Sequence, residues 1–137
     1  MKVKIVEGAI VSIPFDGAHA VCKILHLSNY FKNIALFKVF TTKIELNECY
    51  ESLLPSHDFE LIYSGTKLIK NGKWPILGVE PVSSEERESN RRIVGGDVWL
   101  ADECLGSASD DQLKKLPKMK VYNVSYIEKK ASTLVKK

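Results

Sequence analysis

The sequence predicts an α+β fold in which a mainly antiparallel β-sheet of six to seven strands, partly barrel-like, accompanies one main helix. Short apolar runs separated by turn residues recur along most of the chain, as in sheets built from hairpins. The apolar period lengthens only near residues 43–54, which predicts the main helix there. Short helices are expected near the C-terminus. A chain of 137 residues is long enough for one core, so a single domain over residues 1–137 is predicted.

The N-terminal third is predicted to form a meander of antiparallel strands. Apolar runs over residues 8–15 and 18–25 flank the dipeptide Asp16-Gly17, which favours a two-residue hairpin turn. A third apolar run over residues 34–40 predicts the next strand. The polar and aromatic residues 28–33 between the second and third runs are predicted to form a loop.

The main helix is predicted from an apolar stripe and from residues that favour helix ends. The stripe has the spacing of one helix face and consists of Leu46, Cys49, Tyr50, Leu53 and Leu54. Thr42 and Glu45 have the form of a capping box at the N-terminal end. Pro55 follows the stripe directly and would end the helix.

The second half of the chain continues with strands and turn signals. Further strands are predicted over residues 59–63, 74–82, 97–100 and 121–127. Asn71-Gly72 is typical of a two-residue hairpin turn, and the polar, acidic residues 83–90 are predicted to form a loop. Ser109 and Gln112 predict a capping box for a short helix that ends near Pro117.

Composition predicts a globular protein without a membrane segment, a metal or a cofactor. Hydrophobic residues make up 45% of the chain, and no apolar run reaches the roughly 18–20 residues that span a bilayer. The first residues lack the features of a signal peptide, so a cytoplasmic location is expected. The three cysteines and three histidines have no metal-site spacing, and the cysteines are expected to be free and mostly buried.

Charge is distributed unevenly along the chain. Residues 1–82 contain nine lysines and eight acidic residues, whereas residues 83–111 contain eight acidic residues and three arginines. Residues 112–137 contain eight lysines and one acidic residue. An acidic segment is thus followed by a basic one, and surfaces of opposite potential steer binding partners.

Four sequence patterns suggest a family. They are Gly8-x-x-Val-x-Ile-Pro-Phe15, the Ala20-x-x-Lys-Ile-Leu25 strand, the predicted helix over residues 45–54, and Gly72-x-Trp-Pro-Ile-Leu-Gly78. In this order they resemble the immunity protein 26 family of bacterial polymorphic toxin systems, over roughly residues 3–105. The resemblance rests on glycines, apolar strands and one tryptophan. It implies that these motif residues maintain the fold and do not contact a partner; they are Gly8, Pro14, Trp74 and Gly78.

The resemblance implies a single immunity-type domain that binds and neutralises a cognate bacterial toxin by blocking the toxin's active site or substrate surface. It implies no catalytic residues in this chain. The toxin is often a nuclease or another enzyme in systems of this kind, which include contact-dependent inhibition. Inhibitors of basic nucleases tend to be acidic, so the net charge of +3 leaves the activity of the toxin open.

Two groups of residues are the candidate toxin contacts. Acidic residues could face a basic surface and raise the association rate through opposite charge. Loop aromatics are the apolar residues that a core explains least, and exposed aromatics anchor interfaces. The candidates are Glu85, Glu86, Glu88, Asp102, Glu103, Asp110 and Asp111 from the acidic segment, with Tyr30 and Phe31 from the predicted loop. The two tryptophans, Trp74 and Trp99, are expected to lie in the core.

Two other functions stay open. A small nucleic-acid-binding module with a barrel-like fold would suit the strands and the basic end, although no RNA-binding signature accompanies the lysines. A small ribonuclease of the barrel-shaped toxin type would need an acid–base pair and a phosphate-stabilising arginine. Arg87, Arg91 and Arg92 lie among acidic residues, which they are expected to neutralise. Binding to a protein is therefore predicted over nucleic-acid binding and over catalysis.

Overall fold

A computed structural model describes residues 4–15 and 17–136 of the chain. Its strands are β1 (Ala9–Phe15), β2 (Ala18–Leu27), β3 (Ile34–Phe40), β4 (Thr42–Glu45), β5 (Phe59–Gly65), β6 (Ile76–Val79), β7 (Arg91–Val94), β8 (Asp97–Leu100), β9 (Glu103–Ser107), β10 (Val121–Tyr122) and β11 (Val135–Lys136). Its helices are α1 (Lys67–Lys70), α2 (Ser84–Glu88), α3 (Asp110–Lys115) and α4 (Val124–Ser132), with a 3₁₀ helix at Tyr50–Leu53.

Most strands belong to one large sheet. Its order is β10–β5–β3–β2–β1–β6, and β4 pairs with β2 and with β11. The pairings between β5, β3, β2, β1 and β6 are antiparallel, whereas β10 and β11 pair in parallel. The prediction of a mainly antiparallel α+β fold is confirmed. The expected barrel-like character is wrong, because β10 and β6 at the two ends of this order do not pair with each other among the described residues.

Alternation along the central strands gives the large sheet two apolar faces. On the first face, side chains of β1, β2 and β3 pack against Ile69 of α1, Trp74, and Ile127 and Ala131 of α4. On the second face, a smaller core lies between the sheet and the segment that contains β4 and the 3₁₀ helix. That smaller core consists of Ile10, Val21, Phe40, Ile44 and Leu53.

The first hairpin follows the predicted register. Phe15 lies opposite Ala18, so two residues connect β1 to β2. Gly17 has a φ of +76°, the left-handed conformation that two-residue hairpin turns require. Asp16, the other residue of the predicted turn, lies outside the described residues.

A second, three-stranded antiparallel sheet follows α2, with the order β7–β8–β9. Arg91 pairs with Leu100 across β7 and β8, and Asp97 pairs with Ser107 across β8 and β9. A β-bulge interrupts the β8–β9 register between Val98 and Trp99. Every residue of β9 is exposed, so this strand forms an open edge of the small sheet.

The predicted main helix over residues 43–54 is wrong. Residues 42–45 form β4, in which Ile44 is buried opposite His19 of β2. Only residues 50–53 become helical, as a 3₁₀ helix, and the Leu46 side chain of the predicted stripe is 54% exposed. Burial of Ile44 against the sheet therefore overrides the local helical pattern, as tertiary contacts commonly do.

Four other predicted elements have different outcomes. Asn71-Gly72 is not a hairpin turn, because it ends α1 and because β6 pairs with β1. The predicted loop over residues 83–90 contains α2, which begins with a capping box between Ser83 and Glu86. The predicted capping box of Ser109 and Gln112 is confirmed in α3. The predicted last strand is shorter, since Asn123 accepts the Tyr126 N–H at 3.0 Å and begins α4.

Two glycines of the resemblance, Gly8 and Gly78, lie where neighbouring atoms leave no room for a side chain. Gly8 has a φ of +91°, and a Cβ atom there would overlap the carbonyl oxygen of Glu80. A Cβ atom on Gly78 would overlap the Tyr50 hydroxyl. Trp74 is only 1% exposed. These contacts agree with the expected structural role, whereas the Pro14 side chain is exposed at the end of β1.

We expect Gly8→Ala to destabilise the protein more than Gly72→Ala, as measured by urea unfolding. Both residues have positive φ, +91° and +81°, which costs alanine about 1–2 kcal/mol. Gly72 has no neighbour within 4 Å of an added Cβ, so it reports the backbone strain alone. Equal losses in the two variants would contradict the close approach of Gly8 to Glu80.

Candidate functional site

The structure brings the two predicted loop aromatics into contact with a tryptophan from the small sheet. Tyr30 and Phe31 lie between β2 and β3, with ring centroids 4.8 Å apart. Trp99 of β8 lies 5.0 Å from the Tyr30 ring and 5.9 Å from the Phe31 ring. Tyr30 remains 64% exposed, and Phe31 and Trp99 are half-buried. We call these three residues the aromatic cluster; the expectation that Trp99 lies in a core is wrong.

Asp102 holds the loop that carries Tyr30 and Phe31 of the aromatic cluster. Its Oδ1 atom accepts a hydrogen bond from the Ser28 hydroxyl at 2.6 Å, and its Oδ2 atom accepts one from the Asn29 N–H at 2.7 Å. The Ser28 hydroxyl oxygen in turn accepts the Phe31 N–H at 2.8 Å. Burial alone would raise the pKa of Asp102, but these two donors and the His26 ring outweigh burial and lower it. Asp102 therefore positions the loop and is not a free contact residue.

His26 connects this loop to the N-terminal segment. Its Nδ1 atom lies 3.0 Å from the Glu7 carboxylate, and its Nε2 atom lies 3.3 Å from the Asp102 carboxylate. Glu7 also accepts the Leu27 N–H at 3.2 Å. A histidine between two carboxylates thus joins three chain segments behind the aromatic cluster.

Four acidic residues lie on the small sheet and in the first turn of α3. Glu103, Asp110 and Asp111 are exposed and Asp97 is half-exposed. No lysine or arginine occurs in the sequence between Arg92 and Lys114. Asp111 pairs with Lys115 at 3.0 Å, one turn later on α3. We call this set the acidic surface; it consists of Asp97, Glu103, Asp110 and Asp111.

The other three predicted acidic contacts lie on α2 and have different surroundings. Glu85 is exposed and lines a cleft over the large sheet. Glu88 is exposed and accepts a hydrogen bond from Arg91 Nε at 2.6 Å. Glu86 points inward, where it contacts two lysines. The predicted acidic residues therefore fall into three groups. Some belong to the acidic surface, Asp102 binds the loop before β3, and the others lie on α2.

Glu86 forms an ion-pair network that the sequence analysis missed. Lys23 Nζ lies 2.8 Å from Glu86 Oε1, and Lys38 Nζ lies 3.0 Å from Glu86 Oε2. Glu86 Oε1 also accepts the Ser83 N–H at 3.0 Å as part of the α2 capping box. Burial alone would raise the pKa of Glu86, but the hydrogen bonds from Lys23, Ser83 and Lys38 lower it to about 2. Glu86 thus attaches α2 to the sheet.

A pattern in the sequence could have indicated these lysines. Lys23 and Lys38 lie in apolar strands at positions that alternate with core residues, and they face each other across β2 and β3. They are 5% and 9% exposed. Lysines are rarely buried without a partner, so an acidic residue from elsewhere in the chain was required.

The prediction that the three arginines neutralise their acidic neighbours is only partly met. Arg91 pairs with Glu88, and Arg87 lies 3.9 Å from Glu7. Arg92 is 2% exposed and makes no ion pair among the described residues; it donates to the carbonyl oxygens of Asn90 and Ala101. Its guanidinium also lies 5.2 Å from the Tyr63 ring. Burial lowers the pKa of Arg92, and the nearby Tyr63 and Asp102 oppose this effect.

One serine–histidine pair has the residue types of a catalytic site. The Ser12 hydroxyl and His19 Nδ1 are 2.7 Å apart. Both side chains are 2% exposed, on central strands of the sheet. Burial lowers the pKa of His19, although Glu48 opposes this effect. With so little exposed surface, the pair has no room for a substrate, and it stabilises the β1–β2 hairpin.

Comparison of the chain with protein-family models, curated proteins and solved structures finds no match. Within the described part of the chain, no group of three or more His, Cys, Asp or Glu side chains could hold a metal ion. The longest described helix has nine residues, so no described helix could cross a bilayer. The cysteines are free, but the expectation that most are buried is wrong, since Cys49 and Cys104 are exposed.

We expect Glu86→Gln to lower the free energy of unfolding by about 3 kcal/mol at neutral pH, because it leaves two buried ammonium groups without a carboxylate. The stabilisation by Glu86 is present above its usual pKa of 4.5 and is lost as the pH falls towards the folded value of about 2. In urea unfolding between pH 7 and 2.5, the difference in the free energy of unfolding between wild type and variant should therefore decrease as the pH falls.

The matched control is Glu85→Gln, which removes an exposed carboxylate from the adjacent position of α2. We expect it to change stability little at any of these pH values. If the difference in the free energy of unfolding between wild type and Glu86→Gln does not change with pH, the ion-pair network is excluded as its cause.

Proposed function

We propose that this chain is an immunity-type protein that binds and neutralises a cognate bacterial toxin in the cytoplasm. The observation that carries the proposal is the aromatic cluster, in which Tyr30 is 64% exposed next to Phe31 and Trp99. Tyrosine and tryptophan are the side chains that most often dominate the binding energy of protein interfaces. The loop that carries Tyr30 and Phe31 is held in place before any partner binds, because Asp102 accepts hydrogen bonds from two residues of this loop.

The acidic surface supports a partner with a basic binding face. One member of it, Asp97, lies on β8 two residues before Trp99 of the aromatic cluster. An apolar anchor with a charged margin is the usual composition of a protein-binding surface. Blocking a toxin's active site or its substrate surface requires shape and charge complementarity, and no catalytic group of this chain takes part.

Nucleic-acid binding has weaker support. Lys114 and Lys115 lie in the last turn of α3, where positive charge complements the helix dipole. Lys115 is also paired with Asp111. The large sheet is open, whereas the nucleic-acid alternative assumed a barrel-like module. Lys114 and Lys115 thus have structural roles that need no phosphate.

The proposal expects a secreted toxin to be encoded directly beside this chain, and the direct test is co-expression of the two proteins. We expect wild type to restore growth and to co-purify with the toxin as a 1:1 complex. Tyr30→Ala should weaken the complex by about thirty-fold, equivalent to the roughly 2 kcal/mol of an anchor residue, measured by calorimetry. Val79→Ala is the control, because Val79 is 55% exposed on β6, outside the aromatic cluster. Growth arrest despite stable expression of wild type would refute the proposal.

The role of the acidic surface has a separate kinetic test. We expect the double variant Glu103→Lys/Asp110→Lys to associate with the toxin several-fold more slowly at low salt, with the difference shrinking as salt screens the charges. The control Glu51→Lys/Asp58→Lys makes the same charge change at exposed positions outside the acidic surface. Equal association rates for both double variants at every ionic strength would remove the acidic surface from the proposal.

A further inference from the structure

The large sheet carries a cleft that lies outside the aromatic cluster and the acidic surface. The cleft encloses about 410 Å³ over the second face of β2, β3 and β5, with α2 on one side and the end of the 3₁₀ helix on the other. Sites for small organic ligands typically enclose roughly 300–1,000 Å³. Its apolar walls are formed by Leu25, Phe40, Leu54, Phe59 and Leu61.

At one place in the lining of this cleft, two ammonium groups contact a single carboxylate. Lys23 and Lys38 both line the cleft and share one carboxylate, that of Glu86. Lys23 Nζ also donates to the Pro81 carbonyl oxygen at 2.8 Å. At this place two ammonium groups face one carboxylate, and both lysines are less than one-tenth exposed. The other two carboxylates of the lining, Glu80 and Glu85, are more exposed, so water screens their charges more strongly. The ammonium charge that Glu86 does not balance favours an anionic ligand, because a buried charge without a counter-charge is costly.

Lys38 has hydrogen-bonding capacity that the described chain does not use. Its Nζ atom donates to Glu86 alone among the described residues. Its other contacts are with two aromatic rings, Phe59 at 4.4 Å and Phe40 at 5.5 Å. An ammonium group has three donors, so Lys38 has donors left for an acceptor that enters the cleft.

Two further carboxylates restrict the kind of anion. Glu80 and Glu85 also line the cleft, so its lining holds three carboxylates and two ammonium groups in all. A second negative charge on a ligand, beyond the one that Lys38 can bind, would therefore be repelled. The aromatic and aliphatic walls favour an apolar body. The cleft therefore suits one carboxylate at the end of an apolar molecule better than a doubly charged phosphate ester.

We propose that this cleft binds a small monocarboxylate with an apolar body, whose carboxylate accepts a hydrogen bond from Lys38 and whose body lies against Phe40 and Phe59. The site is independent of the toxin-binding surface. A bound carboxylate would balance the excess charge beside Glu86 and thereby strengthen the attachment of α2 to the sheet.

Phenylacetate and its uncharged analogue phenylacetamide test this proposal on the full chain by NMR titration of backbone amides. We expect phenylacetate to shift the resonances of Lys38, Phe59 and α2 and to bind at least ten-fold more tightly than phenylacetamide, because the hydrogen bond is charge-assisted. Phenyl phosphate, which is doubly charged at pH 7.5, should bind more weakly than phenylacetate.

Variants assign the effect to Lys38. Lys38→Met should reduce phenylacetate affinity to that of phenylacetamide, and Lys38→Arg should retain the preference for the carboxylate. The control is Lys114→Met, an exposed lysine outside the cleft, which should leave both affinities unchanged. Equal affinities of wild type for the two probes, no binding at millimolar concentration, or shifts confined to other surfaces would overturn the proposal.

Discussion

Glu86 allows two lysines to lie side by side inside the protein. Lys23 and Lys38 are direct cross-strand neighbours on a buried face, where like charges destabilise a sheet. The carboxylate that compensates them arrives from α2, some 48 residues or more further along the chain. Because the capping box fixes the Glu86 side chain, helix geometry and charge compensation depend on each other. α2 therefore supplies the counter-charge that this part of the second face requires.

The position of α2 determines where the rest of the molecule attaches. The chain leaves α2 at Asn90, whose side chain accepts a hydrogen bond from Tyr63 of β5, and continues into β7. Arg92 then packs near the Tyr63 ring and binds two carbonyl oxygens of its own segment. At the far side of the small sheet, Asp102 binds the loop before β3. A few polar contacts thus set the small sheet against the large one and assemble the aromatic cluster.

Local patterns in the sequence predicted local structure well. The β1–β2 hairpin, β3, β5, β8 and the α3 capping box depend on alternation and on capping residues that lie within a few positions of each other. The failures have non-local causes. Ile44 pairs with His19 of β2 and so lies in β4, and β6, the strand that follows Asn71-Gly72, pairs with β1. The contact of Tyr30 with Trp99 depends on Asp102, over seventy residues from the loop, so composition could suggest the aromatics without showing the cluster.

The acidic segment shows why a count of charges predicts a binding surface only approximately. Glu86 and Asp102 are occupied with hydrogen bonds inside the fold, and Glu88 is paired with Arg91. Glu103 and Asp110 remain exposed on the small sheet and α3. Charges are screened over about 8 Å at physiological ionic strength, so a partner at this surface responds to nearby carboxylates and hardly to distant lysines. A net charge of +3 is therefore compatible with an acidic binding face.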